Sequence, residues 1–286
     1  MQIILGTAQF SGNYGVLKNN LSKKIDQQYL KSIYSFSMKN KINLIDTAGS
    51  YHKVHKRIGA SKLNKLNIIS KIHVDKVYDE KKIKLQINQM FKDLKIKSIY
   101  AILIHNPENL NKNNIYKIIN FLAKLKLKKK VVKVGLSIYE KKDLKFVKNI
   151  WIPDIVQLPI NILNRNLSKD GTLRYLQNKN IEIHARSVFL QGLLLSEKVP
   201  RQFLRFKNIF DKWNKITKNN KEKKIYYCLM LINRIYKIKK FIIGFNDLNN
   251  LEAIINILKI KKKLPKNLVN FYSINKKLID PRTWNK

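Results

Sequence analysis

A single cysteine, Cys228, stands among 286 residues. One thiol excludes an internal disulfide framework and fits a reducing compartment, where it packs as a small apolar side chain. No apolar run approaches the roughly 20 residues that a membrane-spanning helix needs. The opening residues MQIILGTAQF have no basic flank, long apolar stretch or small-residue cleavage site, so no secretory signal is expected. A GxGxxG fingerprint is missing too: in GTAQFSGNYG the glycines fall at 6, 12 and 15, the wrong spacing for an open, doubly wound dinucleotide-binding sheet. Nor is there a nucleophilic Ser or Cys elbow, a phosphate loop, a metal-ligand cluster, a linker or a low-complexity boundary. These absences predict a cytoplasmic chain with no membrane span and no metal, folded as one domain over residues 1–286.

Negative charge is scarce: 18 Asp and Glu face 59 Lys and Arg, a formal net charge of +41. Such a balance usually points to nucleic acid, an anionic membrane surface or acidic ligands. Here the basic residues are mostly Lys and are dispersed, as in LKLKKK, NKEKKI and KIKKKLP, within a chain also rich in Asn and Ile. Drift of surface codons in an adenine/thymine-rich genome accounts for that pattern, so no specific nucleic-acid partner is expected. A functional basic face would show as a steep salt dependence of binding.

What is present is an ample core, 44% apolar and 10% aromatic residues, distributed with a clear period. Eight short β-branched runs read as strands: 2–7, 42–46, 67–71, 99–105, 131–137, 154–159, 181–187 and 241–245. Helical spacing fills the intervals at 26–40, 80–94, 114–130 and 247–260, the last with Asp247 or Asn246 as N-cap, and at 201–218 and 221–238 in the longest connection. Eight βα units with mostly apolar strands predict an α/β chain built as a single closed (β/α)8 TIM barrel, with an open parallel sheet as the runner-up.

In such a barrel, functional groups stand at the C-terminal ends of the strands. Strand two ends on Asp46, with Tyr51 five residues later; strands three and four give Lys71 and His105; strands five, six and seven give Ser137, Gln157, and Arg186 with Ser187. Taken singly, each has an ordinary structural reading as an N-cap, a packed ring or a solvated strand edge. Together they place a carboxylate, a phenol, an amine and an imidazole around one mouth.

The segments LGTAQFSGNYG, LIDTAGSY, ISK, ILIHNPE, KVGLSIY, VQLPINIL, ARSVFLQGLL and IIGFNDLNNLEAI, in this order over nearly the whole chain, resemble successive landmarks of the aldo-keto reductase superfamily. The ARSVFLQG variant and the closing IDPRTW resemble a bacterial branch associated with surface-polysaccharide gene clusters. The resemblance implies reduction of a small carbonyl compound with NADP(H) or NAD(H). Tyr51 would be the general acid, Lys71 the charge that eases its proton loss, Asp46 the partner that holds Lys71, and His105 the group that orients the carbonyl oxygen. The physics is consistent with those roles. A free phenol titrates near 10, and an ammonium about 4 Å away contributes on the order of 4 kcal/mol at an effective dielectric of 20, roughly three pKa units.

The same resemblance implies that Ser137 and Gln157 meet the nicotinamide carboxamide, with Gly6 and Thr7 at that end. Ser187, Leu190 and Gln191 would cradle the pyrophosphate, and Gly244 in the last strand and Asn250 beyond it would also bind the cofactor. There are departures. Arg186 stands where an aromatic residue usually stacks on the nicotinamide, and its charge would disfavour the oxidised ring. Ile138 replaces a frequent Asn, and His52 and His55 follow Tyr51 at the expected pocket rim. Phe245, Asn246 and Asn250 replace the usual basic grip on a 2'-phosphate, which leaves NADP(H) and NAD(H) both open. The expected substrate loops, FSGNYGVLKNN, NPENLNKNN and LSEKVPRQF, are polar and basic and lean toward a sugar-like or phosphorylated carbonyl compound. Two further readings are weighed: a cofactor-binding barrel serving as a non-catalytic regulatory or binding subunit, and a charge-driven anionic-surface binder. Oligomeric state has no sequence signal.

Overall fold

Eight apolar runs pair edge to edge in chain order and close on themselves: β1 (Gln2–Gly6), β2 (Leu44–Asp46), β3 (Asn67–Ile72), β4 (Ile99–Ile104), β5 (Val131–Ser137), β6 (Ile155–Pro159), β7 (Glu182–Arg186) and β8 (Lys240–Gly244). All pairings are parallel, and β8 returns to β1 in register from Gln2↔Lys240 to Gly6↔Gly244. This computed structural model describes residues 1–12, 25–51, 53–260 and 262–284, and its architecture is a (β/α)8 TIM barrel.

The strand period of two divides the core. Ile4, Leu44, Ile69, Ala101, Leu103 and Ile155 point inward and fill the barrel. Their neighbours Ile3, Leu5, Ile45, Ile68, Ile102 and Val156 point outward under the helices, in the larger hydrophobic cluster. The inward faces of β1, β2, β3, β4 and β6 are thus apolar over part of their length, whereas β5 and β7 turn Lys133, Glu182 and His184 inward and keep a polar alternation.

The helices are α1 (Gln27–Lys39), α2 (Val54–Gly59), α3 (Glu80–Leu94), α4 (Ile115–Leu127), α5 (Asn166–Lys169), α6 (Thr172–Asn178), α7 (Lys207–Thr217), α8 (Lys221–Tyr236), α9 (Leu248–Lys259) and α10 (Lys276–Ile279). In α3, Ile83, Ile87, Met90 and Leu94 recur at helical spacing and are buried. Side-chain caps start several of them. Asp26, Asp79, Asn220 and Asp247 accept the backbone N–H three residues on, each worth about 1 kcal/mol.

Two expectations are corrected. The helix expected from residue 201 begins at Lys207, because the chain after Pro200 winds first as a 3₁₀ turn over Arg201–Phe206. The alternation also lapses between β5 and β6, where a capping box of Glu140 and Asp143 starts only the 3₁₀ turn Lys141–Leu144.

At the N-terminal rim of the barrel, Glu182 ties three strands together. Its carboxylate lies 2.5 Å from Lys133, 2.5 Å from Lys240 and 2.6 Å from His184. Burial alone would raise its pKa, yet hydrogen bonds from these neighbours hold it well below the usual carboxylate range. These contacts tie the rim of β5, β7 and β8 together. Among the described residues no helix is long and apolar enough to cross a membrane.

Candidate active site

A cavity of about 580 Å³ opens at the C-terminal ends of the strands, a size suited to a small organic ligand. Asp46, Tyr51, Lys71 and His105 all line it, although they come from two strands and two loops. The buried Lys71 ammonium donates to Asp46 Oδ1 at 2.8 Å, Asp46 Oδ2 at 2.7 Å and the Thr47 carbonyl at 2.9 Å. That exhausts its three protons. Burial pulls the Lys71 pKa below the ordinary lysine value, Asp46 opposes the shift, and the charge of Arg186 adds to it.

Tyr51 sits just above this pair, with Lys71 Nζ 5.8 Å from its ring centroid. Its backbone is held on both sides: its N–H donates to Ala48 O at 3.1 Å, and its carbonyl accepts from Val54 N–H at 3.1 Å, where α2 starts. Sequence spacing therefore has a mechanical basis, since the five residues from Asp46 to Tyr51 are one turn between strand and helix.

His105 follows β4, anchored by its backbone N–H on Ile72 O at 2.8 Å. Its pKa is pushed down to about 3, first by desolvation and then by the positive charges of Lys71, His73 and Arg186. At neutral pH the ring is uncharged and carries one N–H donor. Its Nδ1 is buried without a hydrogen-bond partner, and the His73 ring stacks obliquely on it at 4.8 Å. A neutral N–H donor and a phenol near an ammonium can grip a carbonyl oxygen and protonate it.

Ser137 and Gln157 are register partners at the ends of β5 and β6 and line the cavity with Gly6 and Thr7. Gln157 has a task that its position in the sequence does not reveal: its amide N–H donates to Asp46 Oδ1 at 2.5 Å. The Gln157 Oε1 atom stays buried without a partner.

The loop after β7 is left-handed at Ser187 (φ 57), Leu190 (φ 49), Gln191 (φ 54) and Gly192 (φ 89). Each non-glycine residue in this region costs about 1 kcal/mol, which persists only where packing enforces it. Ser187, Gln191 and Gly192 line the cavity, whereas the wholly buried Leu190 side chain is no part of its wall and anchors the loop into the core. Gly244 and Asn250 also line it. A Cβ on Gly244 would fall 2.1 Å from Gln9 Nε2, so the amide of Gln9 packs directly against the Gly244 backbone.

Several expectations about the rim change. His55 is buried behind β3, its Nε2 2.9 Å from Ser70 Oγ, with its pKa pushed down to about 4 by burial foremost. His52 and residues 13–20 of the first substrate loop lie outside the described residues. Four of the five asparagines of NPENLNKNN are consumed internally: Asn106, Asn109, Asn111 and Asn114 bond the backbone of residues 74–76 and one another. Arg186 has one guanidinium face on the Tyr139 ring, 3.9 Å from its centroid, while its Nη2 donates to Ile138 O at 3.0 Å.

Sequence reasoning missed Gln9, Tyr139, Lys221 and Glu222, which also line the cavity. Tyr139 had a signal, lying two residues past the end of β5. Lys221 and Glu222 open α8, far along the chain from any strand end, and had none. With Leu195, Ile225, Ala253 and Ile257 they extend the cavity between α8 and α9.

Solved structures with this fold include the glycerol dehydrogenase AKR11B4 from Gluconobacter oxydans, 17% identical, with a TM-score of 0.67 over 94% of this chain and 89% of that one. The holo form of the aldo-keto reductase AKR11C1 from Bacillus halodurans is 12% identical, with a TM-score of 0.72 over 100% and 94%. At these identities the likeness is one of fold. No curated protein sequence matches the chain. The Aldo/keto reductase family model matches residues 2–270, taking in every strand of the barrel, and the chain therefore belongs to the aldo/keto reductase family.

Proposed function

We propose that the chain is an NAD(P)H-dependent reductase that converts an aldehyde or ketone to an alcohol, and that residues 1–286 act as one domain. Family membership gives the reaction class, oxidoreduction of a carbonyl. The observation that carries the rest is the Asp46–Lys71 pair, buried in direct contact beneath the Tyr51 ring and beside a neutral His105.

The cavity residues fit a nicotinamide dinucleotide. The buried, unpartnered Gln157 Oε1 is the acceptor that a carboxamide N–H would satisfy, and Ser137 stands next to it. Gly6, Thr7 and Arg186 would border the ring. Ser187 and Gln191 would hold the phosphates, while Gly244 and Asn250 would line the far half with Lys221 as the available cation. When bound, this group supplies a hydride to the carbonyl carbon.

The protein's own residues handle the oxygen. The His105 N–H grips and orients it, and the Tyr51 hydroxyl gives it a proton. Lys71 stabilises the phenolate left behind, in a site where water-poor surroundings strengthen the attraction. Asp46 fixes Lys71 beneath the ring, and Gln157 fixes Asp46 from the opposite wall. The substrate is a small carbonyl compound of sugar-like or phosphorylated character.

A Tyr51→Phe variant tests the reading. It should quench tryptophan fluorescence on NADPH or NADH addition as the parent does, and reduce aldehydes on the order of 10²-fold more slowly or worse. Undiminished turnover, or no binding of either nucleotide by the parent, would overturn it.

A further inference from the structure

Tyr139 lies between two guanidinium groups. The Arg186 carbon is 3.9 Å from its ring centroid, and so is that of Arg282, in the closing IDPRTW segment. The two arginines differ in their counter-charges. Arg282 donates to Asp280 at 2.7 Å and to Glu140 at 3.1 Å, which fixes its plane. Arg186 has no carboxylate within ion-pair distance among the described residues, and its only hydrogen bond there is to the Ile138 carbonyl. The cavity's Asp46 is already engaged by Lys71 and Gln157. The Nε of Arg186, moreover, is buried without a partner. A half-buried guanidinium left without an anion is costly, and an anionic group brought in by a ligand would relieve that cost.

We propose that Arg186 is a specificity-determining residue that selects a carbonyl substrate bearing a carboxylate or phosphate, and that Arg282 is the positioning residue that holds it, acting through Tyr139. This rests on the reductase reading above and narrows its substrate. Stacking restricts the Arg186 side chain before any ligand arrives, so less rotamer freedom is lost on binding. The Tyr139 ring is itself held at its backbone, whose N–H donates to Asp143 Oδ2 at 2.7 Å. The charge lies close to the reacting end, since it acts on both Lys71 and His105.

The test compares reduction of succinic semialdehyde with butyraldehyde, and of glyceraldehyde 3-phosphate with glyceraldehyde, at fixed physiological salt because the whole chain is cationic. The parent should favour the anionic member of at least one pair by about tenfold or more in kcat/KM. In Arg186→Gln the ratio should fall toward one, mainly through KM. Arg282→Gln and Tyr139→Ala should lower the ratio several-fold, and Tyr139→Phe, which keeps the stack, should retain it. Parent ratios near one for both pairs, or a ratio unchanged in Arg186→Gln, would overturn the proposal. So would a loss confined to nucleotide affinity, which would assign the cation to the cofactor's phosphates.

A second readout does not need catalysis. Thermal stabilisation by succinic semialdehyde beyond that by butyraldehyde should appear in the parent and vanish in Arg186→Gln. If no aldehyde of either kind is reduced, the reductase reading fails, and the thermal shift still decides the role of Arg186: a shift lost in the variant supports it, and an equal shift in both proteins refutes it.

Discussion

Lys71 places its ammonium within 2.8 Å of both carboxylate oxygens of Asp46, and neither side chain is more than 6% exposed. Removing one member strands the other. Asp46→Asn should therefore lose about 3–5 kcal/mol of unfolding free energy, read by urea denaturation. The double change Asp46→Leu with Lys71→Met should recover much of that loss while leaving the protein inactive. A single substitution that cost under about 1 kcal/mol would mean that the pair is solvated.

The pH profile of reduction should show no imidazole ionisation. With the His105 pKa near 3, its ring stays neutral through the range in which an ordinary histidine titrates, so kcat/KM should not inflect near 6.5. His105→Asn should lower kcat/KM by roughly 10- to 100-fold without introducing or removing an acid limb in that range. An inflection near 6.5 in the parent that disappears in this variant would contradict the assignment.

Acid sensitivity of the fold should trace in part to His55. Its pKa is about 4 in the folded chain against 6.5 as the ordinary value, so below pH 6.5 the unfolded chain takes up a proton that the folded one refuses. Stability is complete above 6.5 and declines as pH falls toward 4, by on the order of 3 kcal/mol from this residue. Thermal denaturation between pH 7 and pH 4 should be steeper for the parent than for His55→Gln, which can still bond Ser70.

Lys221 is the test of nucleotide preference. It stands in the far half of the cavity with Glu222 beside it, so Lys221→Ala should weaken NADPH several-fold while leaving NADH nearly unchanged, by fluorescence titration. Equal effects on both nucleotides would place the lysine away from a 2'-phosphate.

Much of this was legible in the sequence because each strand is a short β-branched run set between polar helical stretches. All eight apolar runs became barrel strands with ends shifted by no more than two residues, and Asp46, Lys71 and His105 followed from reading what ends each run. The remainder depends on contacts between distant parts of the chain. Nothing local to Gln157 announces that its amide turns to Asp46, and nothing near Arg186 points to the Tyr139 ring or to Arg282 behind it. His55 misled for a related reason: a polar residue next to a catalytic candidate reads as rim, yet the first turn of α2 aims it into the layer between helix and strand, where Ser70 satisfies it.

The lone thiol has a practical consequence. Cys228 is fully buried in α8, and burial pushes its pKa far above that of an ordinary thiol, so it should ignore maleimides and mild oxidants in the native state. The native molecule is in effect a blank background for labelling. A cysteine introduced at an exposed position such as Val77 would be the sole reactive handle, and a fluorophore there could report ligand entry from the outside of the barrel without an engineered cysteine-free parent.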